Sequence, residues 1–319
     1  MNIDNLVKYA LEANQLLITY RSGWDFIGKD RAETVAQHSL YASAVAYWIA
    51  LEEKQQYPHI DMLRTLLIPL FHDLHEVRTG DLNPVYKTYF PRNKESEARA
   101  SRDQIRRTEP DTKVKLLRYH FDFESHSTLA GKIAKDADWL QMIFMAKKFL
   151  DEGFVLAKQN WIDNTAKKLR TKTAQDIAVK IINTKSTDFE MIWPRLCAHE
   201  CFLTGVLAFV LTDPKIYDPE EAAFCALIPF IRRAIKVAAL NIGLKPPIDP
   251  EYSFTEAALV MAADAHNLQF IVRAAKKDKD VTPNQRRLEY LASQIKTELA
   301  RELAARFMSP DIQSVAWWE

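Results

Sequence analysis

The sequence predicts an all-α protein, and three observations carry that prediction. Only 7 glycines occur in 319 residues, of which 48% are apolar and 27% charged. Few segments alternate apolar and polar residues with the period of two that a half-buried strand requires. Apolar residues recur instead at helical spacing, most clearly at Leu66, Leu67, Leu70, Phe71, Leu74 and Val77. The length suits two domains. A net charge of +1 gives no electrostatic case for a nucleic-acid or membrane surface, so neither is expected as a stable partner.

The elements follow in chain order. Residues 4 to 20 read as an amphipathic helix capped by Asp4, ending before Arg21-Ser22-Gly23-Trp24. A turn from Arg21 to Asp30 leads into a helix opened by Glu33-Thr34-Val35-Ala36-Gln37-His38-Ser39 and running through Trp48. After Pro58 a central helix starts near Asp61, carries His72, Asp73 and Glu76, and ends at Gly80-Asp81. On one continuous helix His72 and Asp73 are roughly 100° apart and Glu76 shares a face with Asp73. A charged stretch to about Lys113 mixes loop and exposed helix. Further helices are expected from about Ala130 to Asp151 and from about Trp161 to Ile182, then a linker over residues 183–188.

A His-Asp dipeptide is weak evidence by itself. Here it has company: His38 one turn into the preceding helix, and Lys135-Asp136-Ala137-Asp138 inside a later one. The order H…HD…D, with its surrounding residues, resembles the HD-domain metal phosphohydrolases. Within them it is similar to the 5′-deoxynucleotidase branch, with its E-x-V-x-E-H-S opening, H-D-x-x-E-x-x-x-G-D core and K-D-x-D ending. The core His72-Asp73-Leu74-His75-Glu76-Val77-Arg78-Thr79-Gly80-Asp81 matches throughout, and the opening departs from the pattern at Gln37. The resemblance covers roughly residues 10 to 185.

It implies an HD-domain helical bundle and a metal-activated water that removes phosphate from (deoxy)nucleoside 5′-monophosphates. The implied metal ligands are His38, His72, Asp73 and Asp138, the last because the pattern assigns the second acid of K-D-x-D to the metal. Such a mixed imidazole and carboxylate set suits Mn, Co, Fe, Ni or Zn rather than Ca or Mg. Glu76 is the expected proton-transfer residue, activating water or protonating the leaving oxygen. Asp81 is a second catalytic acid, Arg21 a phosphate-binding cation, and Glu33 a residue that orients His38 by a hydrogen bond. His75 reads as structural. His120 and His126 could reach the pocket wall but are read first as lying off it. A triphosphohydrolase or a cyclic or oligonucleotide phosphodiesterase would use the same ligands, and the cations between Lys87 and Lys113 could hold a longer phosphate chain.

The second half repeats the first. Leu227, Ile228, Pro229 and Val237 fall on identical residues of the central helix, and Asp264, Ala265, Leu268, Gln269 and Ile271 on those around Asp138. In that register Arg232 and Arg233 replace His72 and Asp73, Lys236 replaces Glu76, and His266 replaces Asp138. Guanidinium groups donate only and cannot ligate a cation. The expected organisation is therefore a catalytic HD domain, 1–185, and a degenerate HD-like helical bundle, 186–319. The second bundle is read as a scaffold making the chain a monomeric pseudo-dimer, with a homodimer or a nucleotide-binding regulatory role as alternatives. Three cysteines and no secretory signal point to a reducing cytoplasm.

Overall fold

In a computed structural model, residues 2–89, 93–184, 195–215, 217–248, 251–275 and 285–314 of the chain are described. Side-chain caps fix where the helices of the first half begin. Asn2 accepts from the Asn5 N–H and opens α1, Ile3–Gln15. The helix thus starts ahead of Asp4 and stops short of residue 20. Its expected last turn is extended instead, because Val35 N donates to Thr19 O at 2.8 Å and Arg21 N to Glu33 O at 2.9 Å. These bonds bracket an isolated antiparallel bridge of Tyr20 with Thr34; the described residues contain no strand. A short 3₁₀ helix, Ser22–Ile27, follows.

Thr34 and Gln37 form a capping box at the start of α2, Val35–Glu53. That gives Gln37, the residue departing from the family opening, a structural use. Asp61 caps α3, Met62–Phe71. The central helix is not continuous: residues 72–75 form a turn before the single turn of α4, Glu76–Thr79, which Gly80 terminates at φ 73°. Imidazole competition for the backbone accounts for the break, since His72 Nδ1 donates to Pro69 O at 2.6 Å, the carbonyl that the next helical N–H would use.

Four short-to-medium helices follow: α5, Pro84–Tyr89; α6, Asn93–Ile105; α7, Pro110–Ser125; and α8, Leu129–Asp151. The expected helix from Trp161 is also broken, into a π-helical turn Lys158–Asp163, α9 Asn164–Ala166, and α10 Lys172–Asn183. Most of the linker expected at 183–188 lies outside the described residues.

The second half contributes α11, Arg195–Leu211; α12, Pro219–Asn241; α13, Glu256–Ala275; α14, Gln285–Ser293; and α15, Glu298–Phe307. α2, α3 and α8 pack on one another, and α11, α12 and α13 do the same. α11 and α12 approach so closely that a Cβ on Gly205 would lie 2.8 Å from Leu227 Cδ2. One apolar core runs through both halves. Phe71 meets Phe209 at 4.9 Å between ring centroids, and the Tyr47 and Tyr252 hydroxyls lie 2.6 Å apart. Among the described residues no helix is long and apolar enough to cross a membrane.

Candidate active site

Three segments of the first half deliver polar side chains to one point. From α2 comes His38, wholly buried. Its Nδ1 faces Gln141 Oε1 at 2.7 Å, while Gln141 Nε2 donates to Glu33 Oε1. With the amide N–H spent on Glu33, Oε1 must accept, so His38 carries its proton on Nδ1 and turns the Nε2 lone pair to the site. Glu33 therefore acts on His38 through Gln141 rather than by a direct bond. Trp24 Nε1 donates to its other oxygen at 3.4 Å.

The turn after α3 supplies His72 and Asp73. A carbonyl can only accept, so the His72 bond to Pro69 O fixes the proton on Nδ1 and leaves Nε2 bare. Asp138, from α8, places Oδ1 3.1 Å from His38 Nε2 and 4.0 Å from His72 Nε2. The ligand atoms of His38, His72 and Asp138 all lie within 4.8 Å of one another. Asp73 Oδ2 stands beside them, 3.0 Å from His72 Nε2 and 3.6 Å from His38 Nε2.

The electrostatics of this cluster call for a cation. Burial opposes charge on His72, yet it titrates above its ordinary value because Asp73 and Asp138 face it. Both carboxylates are held well below the usual range against the same burial, Asp73 by His72 and Arg21, Asp138 by Lys135 and the imidazoles. His38 Nε2, buried, makes no hydrogen bond. Two imidazole nitrogens turned to the site, one of them buried without a hydrogen bond, and two ionised carboxylates fit a divalent ion.

Arg21 is at the site, but its Nη1 donates to Asp73 Oδ2 at 2.9 Å and stands 3.9 Å from Asp81 Oδ1. Asp81 in turn accepts from Ser22 N at 2.6 Å. Glu76 is buried, and its Oε2 has no partner. Burial, then Asp73 and Asp81, push its carboxyl well above the usual range, with Arg21 and Lys87 opposing. Asp136 lies elsewhere: its carboxylate accepts from Arg170 N at 3.0 Å and Thr171 N at 2.6 Å, just ahead of α10, which Thr171 caps. His75 is buried and donates to His72 O, His126 ends α7 in a left-handed turn, and His120 lines a separate small void.

Above the cluster opens a cavity of about 300 Å³ lined by His72, Asp73, Glu76, Asp81, Arg21 and Asp138, with aromatic and cationic groups beyond them. Sequence reasoning missed Gln141 and Lys135. Lys135 Nζ sits 2.9 Å from Asp138 Oδ2 and 4.3 Å over the Phe123 ring. Gln141 did carry a signal, as an uncharged polar residue on the buried face one turn past Asp138.

An all-helical bundle with a buried His/Asp cluster at the floor of an open cavity defines a metal-centre protein. Residues 13–180, more than half the chain, match the HD domain family model. The chain belongs to the HD domain family, near the 5′-deoxynucleotidase branch of its metal-dependent phosphohydrolases. It is 26% identical over 165 residues to 5′-deoxynucleotidase HDDC2 of Bos taurus, covering 51% of this chain and 78% of the relative. It is 27% identical over 176 residues to a 5′-deoxynucleotidase of Vibrio vulnificus, covering 53% and 88%. A conserved hypothetical protein of Pyrococcus furiosus, of known structure, aligns at a TM-score of 0.47 with 27% identity, covering 56% of this chain and 98% of that one.

Proposed function

We propose that this chain removes phosphate from (deoxy)nucleoside 5′-monophosphates, with His38, His72, Asp73 and Asp138 holding one divalent transition metal. The observation that carries this reading is the convergence of His38, His72 and Asp138 at the floor of a cavity of about 300 Å³. The names of the relatives supply the substrate class. A divalent ion at such a ligand set acidifies water and neutralises phosphate charge.

The chain's own residues do the rest. Arg21, anchored by Asp73, keeps further N–H groups for a phosphate oxygen. Water attacks phosphorus and the P–O5′ bond breaks. Glu76, whose carboxyl burial and its acidic neighbours push well above the usual range, gives its proton to the departing O5′. The carboxylate so formed takes the proton that the attacking water loses, which restores the starting state. Asp81, fixed by Ser22, bears on Glu76 and Arg21 as a neighbouring negative charge.

Several cations of the charged stretch are already paired and offer little to a longer phosphate chain. Arg107 is bound to Glu12, and Arg99 and Arg106 face Asp103, whereas Lys87 lines the cavity. The second half is read as a degenerate copy acting as scaffold. Asp264 supports this: it accepts from Lys296 N at 2.8 Å and Thr297 N at 2.7 Å at the start of α15, as Asp136 does for α10. The test is product analysis on a panel of nucleoside mono-, di- and triphosphates with Mn²⁺ or Co²⁺. Orthophosphate from deoxynucleoside monophosphates is expected; pyrophosphate or triphosphate as product refutes the reading.

A further inference from the structure

The cavity has an aromatic end that no motif announces. After α8 the chain turns at Gly153, φ 101°, and returns along α8 as the π-helical turn Lys158–Asp163. Such wide turns recur at binding sites because they swing one side chain out of helical register. Here Ile162 is buried with Trp24, Ala146 and Phe149, while Trp161 is half-buried and lines the cavity.

What Trp161 packs against locates it relative to the metal cluster. Its Cζ2 is 3.4 Å from where a Cβ on Gly23 would sit, and Gly23 is two residues from Arg21, which grips Asp73. Two Cα steps span at most roughly 7 Å. Along α8, Met142 and Ala146 lie beyond Asp138 by roughly 6 and 12 Å of helical rise. Trp161 packs at that level, against the cluster containing Ala146. The gap matches the sugar that separates a 5′-phosphate from its base. Of the other two tryptophans on the wall, Trp24 is buried behind Trp161, 5.8 Å between ring centroids, and Trp139 is already engaged by Lys135, Arg170 and Lys168, which lie 5.5, 5.7 and 5.9 Å from its ring.

We propose that Trp161 is the wall on which the substrate's base stacks, with the Asn160 amide at the base edge. This inference rests on the nucleotidase reading of the same site. Stacking accepts every base but strengthens with ring area, and an amide offers both a donor and an acceptor. The enzyme is therefore base-tolerant, with purines preferred.

The test compares dAMP, dCMP and base-less 2-deoxyribose 5-phosphate as substrates of wild type, Trp161→Ala and Trp161→Phe. Trp161→Ala lowers kcat/KM for dAMP about 5- to 100-fold, chiefly through KM. The loss is smaller for dCMP, turnover of 2-deoxyribose 5-phosphate is unchanged, and Trp161→Phe keeps most of the activity. Equal losses on all three substrates would mean that Trp161 merely props Trp24 and Arg21, and would overturn the proposal, as would an unaffected dAMP rate. Equilibrium dialysis of deoxyadenosine, which has no phosphate, separates the two readings. If wild type leaves monophosphates uncleaved yet binds deoxyadenosine more tightly than Trp161→Ala does, the nucleotidase reading falls and the base wall stands. If it does neither, both fall.

Discussion

The α2–α3–α8 and α11–α12–α13 triads are built alike and differ in what they carry. In each, an aspartate on the last helix of the triad holds the amides that open a later helix: Asp136 for α10, Asp264 for α15. Two residues on, the first triad has Asp138 at the ligand cluster, and the second has His266 stacked edge-on against Phe270. Gln141 joins His38 to Glu33, whereas its counterpart Gln269 is buried with neither side-chain polar atom bonded. The comparison separates two jobs within K-D-x-D: the first acid builds the bundle, and the second serves the site.

The same comparison explains the turn at residues 72–75. In the proposed repeat Pro69 and Pro229 correspond, yet α12 runs unbroken from Pro219 to Asn241 while α3 stops at Phe71. Proline alone is therefore not what ends α3. The difference is His72, whose imidazole takes the Pro69 carbonyl; Arg232 in its place is exposed.

Four experiments would break or sharpen this contrast. The largest effect belongs to the ligands. His72→Ala or Asp138→Ala should abolish bound metal and cut phosphate release about 10³-fold or more, while Arg232→Ala and Arg233→Ala change neither. Elemental analysis beside a phosphate assay decides it, and metal retained by the His72 variant would dismiss the cluster.

Next comes Glu76 against Lys236. Glu76→Gln should lower kcat about 10²- to 10³-fold, and Lys236→Ala should leave it alone. Because the Glu76 carboxyl titrates upward, the step that needs its proton declines as pH rises through that value. Stability has the same sign: the protonated form's contribution is lost on the alkaline side. Glu76→Gln, which cannot ionise, should therefore melt higher than wild type in alkaline, metal-free buffer. A lower melting temperature there would contradict the assignment.

Gln141→Leu should weaken metal binding about 10- to 100-fold. Gln269→Leu should instead be neutral or stabilising, because it removes two buried unbonded groups. Metal titration and urea melts read the pair, and a destabilised Gln269→Leu would place a partner on that amide. The smallest effect is shared: Asp136→Ala and Asp264→Ala should each cost about 2–3 kcal/mol in urea unfolding, with Asp264→Ala keeping its metal. Unequal costs would argue against equivalent positions.

Much of this architecture was legible in the residues. Apolar spacing located α3, the residues around His38 and Lys135-Asp136-Ala137-Asp138 located α2 and α8, the internal match located α12 and α13, and the HD pattern picked out the side chains that converge. What escaped depends on groups distant in sequence or on competition within the backbone. The stop after Phe71 turns on an imidazole reaching a carbonyl, which periodicity does not register. α1 ends early because Thr19 and Arg21 bond to residues past a turn. Glu33 was assigned to His38 directly because nothing local says that Gln141 stands between them. The π-helical turn at Lys158–Asp163 has no compositional mark, so Trp161 read as an ordinary helix residue.

α1 packs against α11, α13 and α15, and Arg306 of α15 reaches Asp4 at 3.5 Å. A helix that precedes the metal site in the chain is thus clasped by one about 300 residues after it. During synthesis the catalytic region must wait, its α2 face bare, until the closing helices emerge. A stalled or truncated product would be a chaperone client rather than a smaller enzyme.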